Sequence, residues 1–186
     1  MIARVQEAAD SLASVRDNAR VPFSGLNVEQ LNWRRAEKSW SVAQCFDHLI
    51  TTHSLYFPLF EKLATGTAQT SIWERVSPLS GFFGRFLIKS LRPENPKKMK
   101  TTAKAHPAAS NMDGDIIERF CRHQDEMIGH LQALPDTIDP KRIITSPLLG
   151  IVTYSLADTF TILSVHCERH FLQAKRVTEA EGFPGP

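Results

Sequence analysis

Residues 155–177 read SLADTFTILSVHCERHFLQAKRV and carry the most informative pattern in the chain. Ser155 is followed three positions later by Asp158, which is the spacing of a capping box at the start of a helix. The apolar positions that follow recur every three or four residues, which predicts an amphipathic helix ending at about Val177. One stripe of this helix is expected to face the protein interior, and it consists of Thr159, Ile162, His166, His170, Gln173 and Val177.

Two further helices are predicted in the N-terminal third. Residues 1–21 repeat apolar side chains at three- and four-residue spacing, which is typical of one stripe of an amphipathic helix. The next helix is expected to open at Ser41, with Gln44 at the capping-box position, and to end near Gly66. Pro58 interrupts this second helix and is expected to bend it, because proline removes a backbone hydrogen bond and crowds the preceding turn.

The pattern of a third helix follows Ser110, with Asp113 at the capping-box position, and continues to about Leu134. No segment alternates convincingly with a period of two, so a sheet is not expected. Four long amphipathic helices in 186 residues predict an all-α protein, a four-helix bundle in a single domain over residues 1–186.

Residues 66–110 fit no long helix and are too long for a simple hairpin loop. This crossover segment would let the second and third helices run parallel. Its apolar part, Leu79–Ile88, is expected to form a short helix across one bundle end, followed by a solvated loop rich in lysine. The alternatives are a lid over a site and a membrane-surface or partner-binding helix. Phe82, Phe83 and Phe86 offer apolar surface for a possible homodimer.

Composition excludes several classes of protein. The net charge is +2, which by itself does not indicate a nucleic-acid or membrane partner. No stretch approaches the roughly 18 uninterrupted apolar residues of a membrane span, and the first twenty residues contain no apolar signal-peptide core. Three widely spaced cysteines without a C-x-x-C pair are typical of free thiols in a cytoplasmic protein.

His166 and His170 form an H-x-x-x-H motif within the fourth helix. Residues four apart lie on one face of a helix, so both rings can reach one metal ion. Two neutral imidazoles buried side by side are costly unless their nitrogens are satisfied, which favours a metal site over a hydrophobic core. The zincin motif H-E-x-x-H is absent, so the general base of that class is not implied.

A third ligand must come from another helix, and spacing alone leaves its identity open. His48 lies beside the apolar face of the second helix, and His53 is its competitor five residues later. His123 and His130 on the third helix are further alternatives.

Two blocks of sequence carry a family resemblance. Gly25–Arg35 reads GLNVEQLNWRR, Lys38–Leu49 reads KSWSVAQCFDHL, and the later block joins TYSLAD at 153–158 to HCERHFLQAKR at 166–176. These blocks resemble the DinB/YfiT-like superfamily. Its members carry a tryptophan, then W-S before a helix with H-L, and later H-x-x-x-H. The similarity covers nearly the whole chain.

This resemblance implies a four-helix bundle with a long crossover between helices two and three. It also implies a divalent metal ion, zinc or nickel, bound by His48, His166 and His170. Some members transfer low-molecular-weight thiols such as bacillithiol or mycothiol, which makes a metal-dependent thiol transferase acting on a small molecule the leading interpretation. The alternatives are a metal-dependent hydrolase and a metal- or ligand-binding bundle without turnover.

Three imidazole ligands leave a metal ion with an open position, as in catalytic rather than structural sites. No residue is assigned a catalytic role from the sequence. Gln173 could orient a ligand or substrate, and Trp33 and Trp40 are expected to close the bundle end. If the ligand set is correct, replacing His53 or His123 should leave the metal content nearly unchanged.

Overall fold

The computed structural model describes residues 3–95, 97, 102, 105–107 and 111–185. Long and short helices dominate these residues, with one small hairpin between the last two helices. The helices are α1 (Ala3–Phe23), α2 (Val28–Asn32), α3 (Val42–Ser54), α4 (Phe57–Ala64), α5 (Ile72–Val76), α6 (Ser80–Leu91), α7 (Ile116–Gln132) and α8 (Leu156–Thr178), and the strands are β1 (Ile143–Thr145) and β2 (Thr153–Ser155). The all-α prediction is therefore confirmed.

The longest helices enclose the main core. Helices α1 and α3 each pack against both α7 and α8. Aromatic rings join them at the centre, since the ring centroids of Phe23 and Phe46 are 5.2 Å apart and those of Phe46 and Phe120 are 4.6 Å apart. All three side chains are completely buried. The apolar stripes of α1, α3 and α7 face one another because this arrangement removes these rings from water.

The predicted second helix is interrupted near Pro58, as expected, but the interruption is a break between two helices and not a bend in one. Helix α3 ends at Ser54, and α4 begins at Phe57 with Pro58 in its first turn. Proline is well tolerated there because the first backbone N–H groups of a helix have no partner within the helix. The break at Leu55 and Tyr56 thus avoids the hydrogen bond that proline would have cost a continuous helix.

A two-stranded antiparallel sheet precedes α8, where no sheet was expected. Ile144 pairs with Tyr154 at the centre of the hairpin. Each strand has only three residues, too few for an alternating pattern to be recognised. The Tyr154 side chain is buried and its hydroxyl lies 2.6 Å from that of Tyr56, so the hairpin is attached to the start of α4.

The crossover segment contains α5 and α6, and α6 packs against α8 and β2. Phe82 and Phe86 remain exposed on α6, while Phe83 is half-buried. The homodimer stays a prediction. Helix α7 begins at Ile116 with Asp115 before it, later than predicted, and Ser110 lies outside the described residues. Several of the predicted loop lysines lie outside them too, namely Lys98, Lys100 and Lys104.

Within the described ranges, no helix is both long enough and apolar enough to cross a membrane.

Candidate metal centre

Two helices bring the predicted ligand residues together. Capping boxes start both helices, at Ser41 for α3 and at Ser155 for α8. His48 lies in the second turn of α3, and His166 and His170 lie one turn apart on α8, which packs against α3. Each of the three rings offers a nitrogen, and these nitrogens all lie within 4.8 Å of one another. The cluster could therefore hold a divalent metal ion.

The orientation of His48 is set by the crossover segment. Its Nδ1 lies 2.6 Å from the carbonyl oxygen of Ala105. A carbonyl oxygen only accepts hydrogen bonds, so Nδ1 carries the proton and donates it. In the neutral ring, Nε2 then keeps its lone pair. That atom points at the cluster, 3.1 Å from Nε2 of His166.

His53 is not part of the three-nitrogen cluster, although it was the main competitor of His48. Its Nε2 instead lies 3.2 Å from Nδ1 of His166, on the side of that ring remote from His48. A spacing of five residues places His48 and His53 about 140° apart around a helix. Sequence spacing therefore gives no sign that a ring from α8 lies between them.

The other two candidate histidines lie outside the cluster. His123 Nε2 is 2.9 Å from the hydroxyl oxygen of Ser54. Phe57 separates His123 from His130, with ring centroids 5.1 Å and 4.5 Å away respectively. Neither ring reaches His166.

Burial keeps the clustered imidazoles neutral. Burial is the main cause that lowers the pKa of His48, and it holds the pKa values of His166 and His170 well below the usual value. Repulsion between the neighbouring histidines acts in the same direction for His166 and His170, whereas the interaction of Gln173 with His170 opposes it. Neutral imidazole is the form that binds metal ions.

One buried atom supports the fit of this residue set to a metal ion. Within the described part of the chain, Nδ1 of His170 is buried and has no hydrogen-bond partner. An unsatisfied buried polar atom is costly, and three neutral nitrogen donors in one cluster match the ligand preferences of zinc and nickel. The chemistry of the donors and their spacing are thus both compatible with the predicted ion.

Trp40 packs against the cluster instead of only closing the bundle end. Its ring is stacked on that of His170, with centroids 5.5 Å apart and an interplanar angle of 23°. It also lies 4.8 Å from the ring of His48. Trp33, in contrast, packs edge-on against Phe183. The indole of Trp40 therefore restricts the positions of two clustered rings.

The three histidines line a cavity of ≈ 1050 Å³. Its wall is largely apolar, with contributions from Leu87, Leu149 and Ile162. The cationic residues that line it are Arg35, Lys38, Arg169 and Arg176, and among the described lining residues Glu94 is the only acidic one. A small molecule in this cavity would meet the histidine nitrogens and an excess of positive charge.

The fold and site define a helical protein with a three-histidine cluster that opens onto a cavity. The family model of the DinB superfamily matches residues 11–174, so the chain belongs to this superfamily. Comparison with the curated proteins gave no match, and comparison with the solved structures gave none either.

Proposed function

We propose that this protein is a metal-dependent transferase that joins a low-molecular-weight thiol to a small electrophile. The ligands would be His48, His166 and His170, and the metal ion zinc or nickel. The observation that carries the proposal is the convergence of three ring nitrogens within 4.8 Å on the wall of a cavity large enough for a small molecule.

The ligand set favours chemistry over a purely structural role. Three neutral imidazoles do not complete the four-ligand set of structural zinc sites. When bound, a divalent ion of this kind lowers the pKa of a thiol or water toward neutrality. In the transfer, the thiol sulfur forms a bond to carbon of the electrophile as the leaving group departs with its electron pair. The thiol proton goes to solvent.

The charge of the cavity favours a substrate with an anionic group. Arg169 donates hydrogen bonds to backbone carbonyls of residues 90–97, among them Arg92 at 2.8 Å, so its charge meets no carboxylate there. Burial and the nearby charge of Arg176 lower its pKa. Within the described part of the chain, no carboxylate forms an ion pair with either arginine. A carboxylate or sulfonate on the substrate would relieve the repulsion between the charges of Arg169 and Arg176.

The family fold completes the proposal. The packing of α1, α3, α7 and α8 supports a four-helix bundle whose crossover carries α5 and α6. Buried free thiols at Cys45, Cys121 and Cys167 fit a location in the cytoplasm. A homodimer through the exposed face of α6 belongs to the same proposal.

The test follows adduct formation between biological thiols and a chlorinated or epoxide electrophile. Zinc- or nickel-loaded protein is incubated with glutathione, cysteine or the uncharged 2-mercaptoethanol, and the same reactions are repeated after removal of metal by a chelator. We expect metal-dependent acceleration, greatest with a carboxylated thiol. If no thiol reacts faster in the presence of metal, the transferase proposal is contradicted. Metal-dependent reaction of the electrophile with water alone would indicate a hydrolase. Metal binding without any turnover would indicate a binding protein.

A charge variant tests the anionic substrate separately. Arg176→Gln should raise KM for a carboxylated thiol or electrophile several-fold and leave KM for uncharged substrates unchanged. Lys175→Gln is the matched control, because this substitution removes the same charge one position away. Both side chains are exposed, but Lys175 pairs with Glu179 at 3.8 Å and does not line the cavity.

A further inference from the structure

His53 is a buried ring with an incomplete set of partners. Only 1% of its surface is exposed. Its Nε2 lies 3.2 Å from Nδ1 of His166, and its own Nδ1 is buried without a hydrogen-bond partner among the described residues. The ring therefore makes one side-chain hydrogen bond, and that bond goes to a residue of the three-histidine cluster.

Stability alone does not explain a histidine at this position. Burial is the main cause that holds the pKa of His53 well below its usual value, with the neighbouring histidines adding to it. An unpartnered buried nitrogen costs folding free energy that an apolar side chain of similar size would not cost. A purely structural role would thus be filled as well or better by leucine at residue 53.

The contact does have a use if His166 binds a metal ion. A ring that binds through Nε2 keeps its proton on Nδ1, and that N–H needs an acceptor in a buried site. The described structure places Nε2 of His53 within hydrogen-bond distance of this atom. On the other side, Nε2 of His166 points toward Nε2 of His48, which is the side on which the nitrogens converge.

We propose that His53 is a positioning residue that accepts a hydrogen bond from Nδ1–H of His166 and so presents Nε2 of His166 to the metal. This inference rests on the metal site of the proposed function. Each ring holds one proton in this arrangement, on Nδ1 of His166 and on Nδ1 of His53, and both rings are neutral. The expectation that His53 is dispensable for metal binding, drawn from the sequence alone, is replaced by the opposite one.

The test measures zinc affinity by competition with a chromophoric chelator at pH 7.5, on the full chain. His53→Leu should weaken zinc binding by about 10- to 100-fold, the usual cost of losing such a partner. His53→Gln should stay within a few-fold of wild type, because its amide oxygen can accept at the position of Nε2. His123→Leu is the matched control, since His123 is also buried and lies next to His53, with ring centroids 6.4 Å apart, but bonds to Ser54 and not to the three clustered histidines. A second readout is the visible spectrum of the cobalt-loaded proteins, which should change for His53→Leu and not for His53→Gln.

Equal zinc affinity of His53→Leu and wild type would overturn the inference. Should His53→Leu lose its helical circular dichroism, His53→Asn takes its place, because the shorter amide does not reach His166. The His53→Asn variant must then bind zinc at least tenfold more weakly than the His53→Gln variant, and equal affinities refute the positioning role. If wild type itself binds neither zinc nor nickel, the proposed function fails, which is a different result from failure of the His53 inference.

Discussion

At the scale of single residues, His48 connects the cluster to the crossover segment. Its Nδ1 donates to the carbonyl oxygen of Ala105, and its ring packs against Trp40. Both contacts hold the ring with Nε2 toward His166. The first predicted ligand is thus oriented by groups from two other parts of the chain, as is usual for metal-binding histidines.

Replacing His48 removes the only clustered histidine that α8 does not supply. We expect His48→Ala to weaken zinc and nickel binding by more than about 100-fold, because even loss of a hydrogen-bond partner of a ligand costs about 10- to 100-fold. Elemental analysis after mild dialysis, followed by metal titration, measures the effect. His130→Ala is the control and should keep its metal. Stoichiometric metal in His48→Ala would show that the ligand assignment is wrong.

At the scale of elements, capping boxes decide where the two helices that carry the predicted ligands begin. In α3, the backbone N–H of Gln44 donates to the Ser41 hydroxyl and the Ser41 N–H donates to the Gln44 side chain. In α8, Ser155 and Asp158 make the equivalent pair. Because a helix has a fixed rise and rotation per residue, these starts also decide on which turn each histidine lies.

The contact between α6 and α8 depends on a glycine. A Cβ atom at Gly84 would clash with Oδ2 of Asp158, the atom that accepts from the Ser155 hydroxyl at 2.7 Å. A side chain at residue 84 would therefore push Asp158 out of the capping box or separate α6 from α8.

We expect Gly84→Ala to lower the free energy of unfolding by about 1–3 kcal/mol, the usual cost of overpacking. Urea denaturation followed by circular dichroism measures it. Gly81→Ala, one turn earlier in α6, is the control: its Cβ would meet only the end of the Arg85 side chain, at 3.4 Å. Alanine there should be neutral or raise stability by up to about 1 kcal/mol through helix propensity. Equal effects of the two substitutions would contradict the close α6–α8 contact.

At the scale of the whole molecule, buried neutral histidines make the fold sensitive to acid. Burial, with a smaller contribution from His130, lowers the pKa of His123 to about 4. Below the ordinary pKa of about 6.5, the unfolded chain binds a proton that the folded protein does not. The contribution of His123 to the free energy of unfolding is therefore fully present above pH 6.5 and is lost as the pH falls toward 4. The pKa values of the buried histidines of the cluster are also lowered, so these residues too make the folded protein less stable as the pH falls.

His123 alone should account for about 2 kcal/mol of the stability lost between pH 7.5 and pH 5. Urea denaturation at both pH values, with a chelator present to remove metal effects, measures the loss in wild type and in His123→Leu. The variant should show a pH dependence smaller by about that amount. Met127→Leu, one turn further along α7, changes the core without removing a titrating group and should keep the full dependence. An unchanged pH dependence in His123→Leu would show that His123 titrates normally in the folded protein.

Local patterns in the sequence were sufficient to predict much of the fold. The period of the apolar residues and the capping boxes at Ser41 and Ser155 depend on neighbours within one or two turns, so they can be read without knowledge of packing. The helical class and two of the helix starts were predicted correctly in this way. The H-x-x-x-H motif similarly placed His166 and His170 on one face, and family resemblance added His48; their role as ligands stays a prediction.

Other features depend on contacts between distant parts of the chain, and only the tertiary structure decided them. The strands are too short to leave a detectable alternating pattern, and Pro58 indicates an interruption without showing that it becomes a break between two helices. The positions of His53 beside His166, of Trp40 over His170 and of the Ala105 carbonyl beside His48 follow from how α3, α8 and the crossover segment pack. Spacing within one helix determines which residues share a face, but the rotation and separation of two helices are determined by the whole core between them.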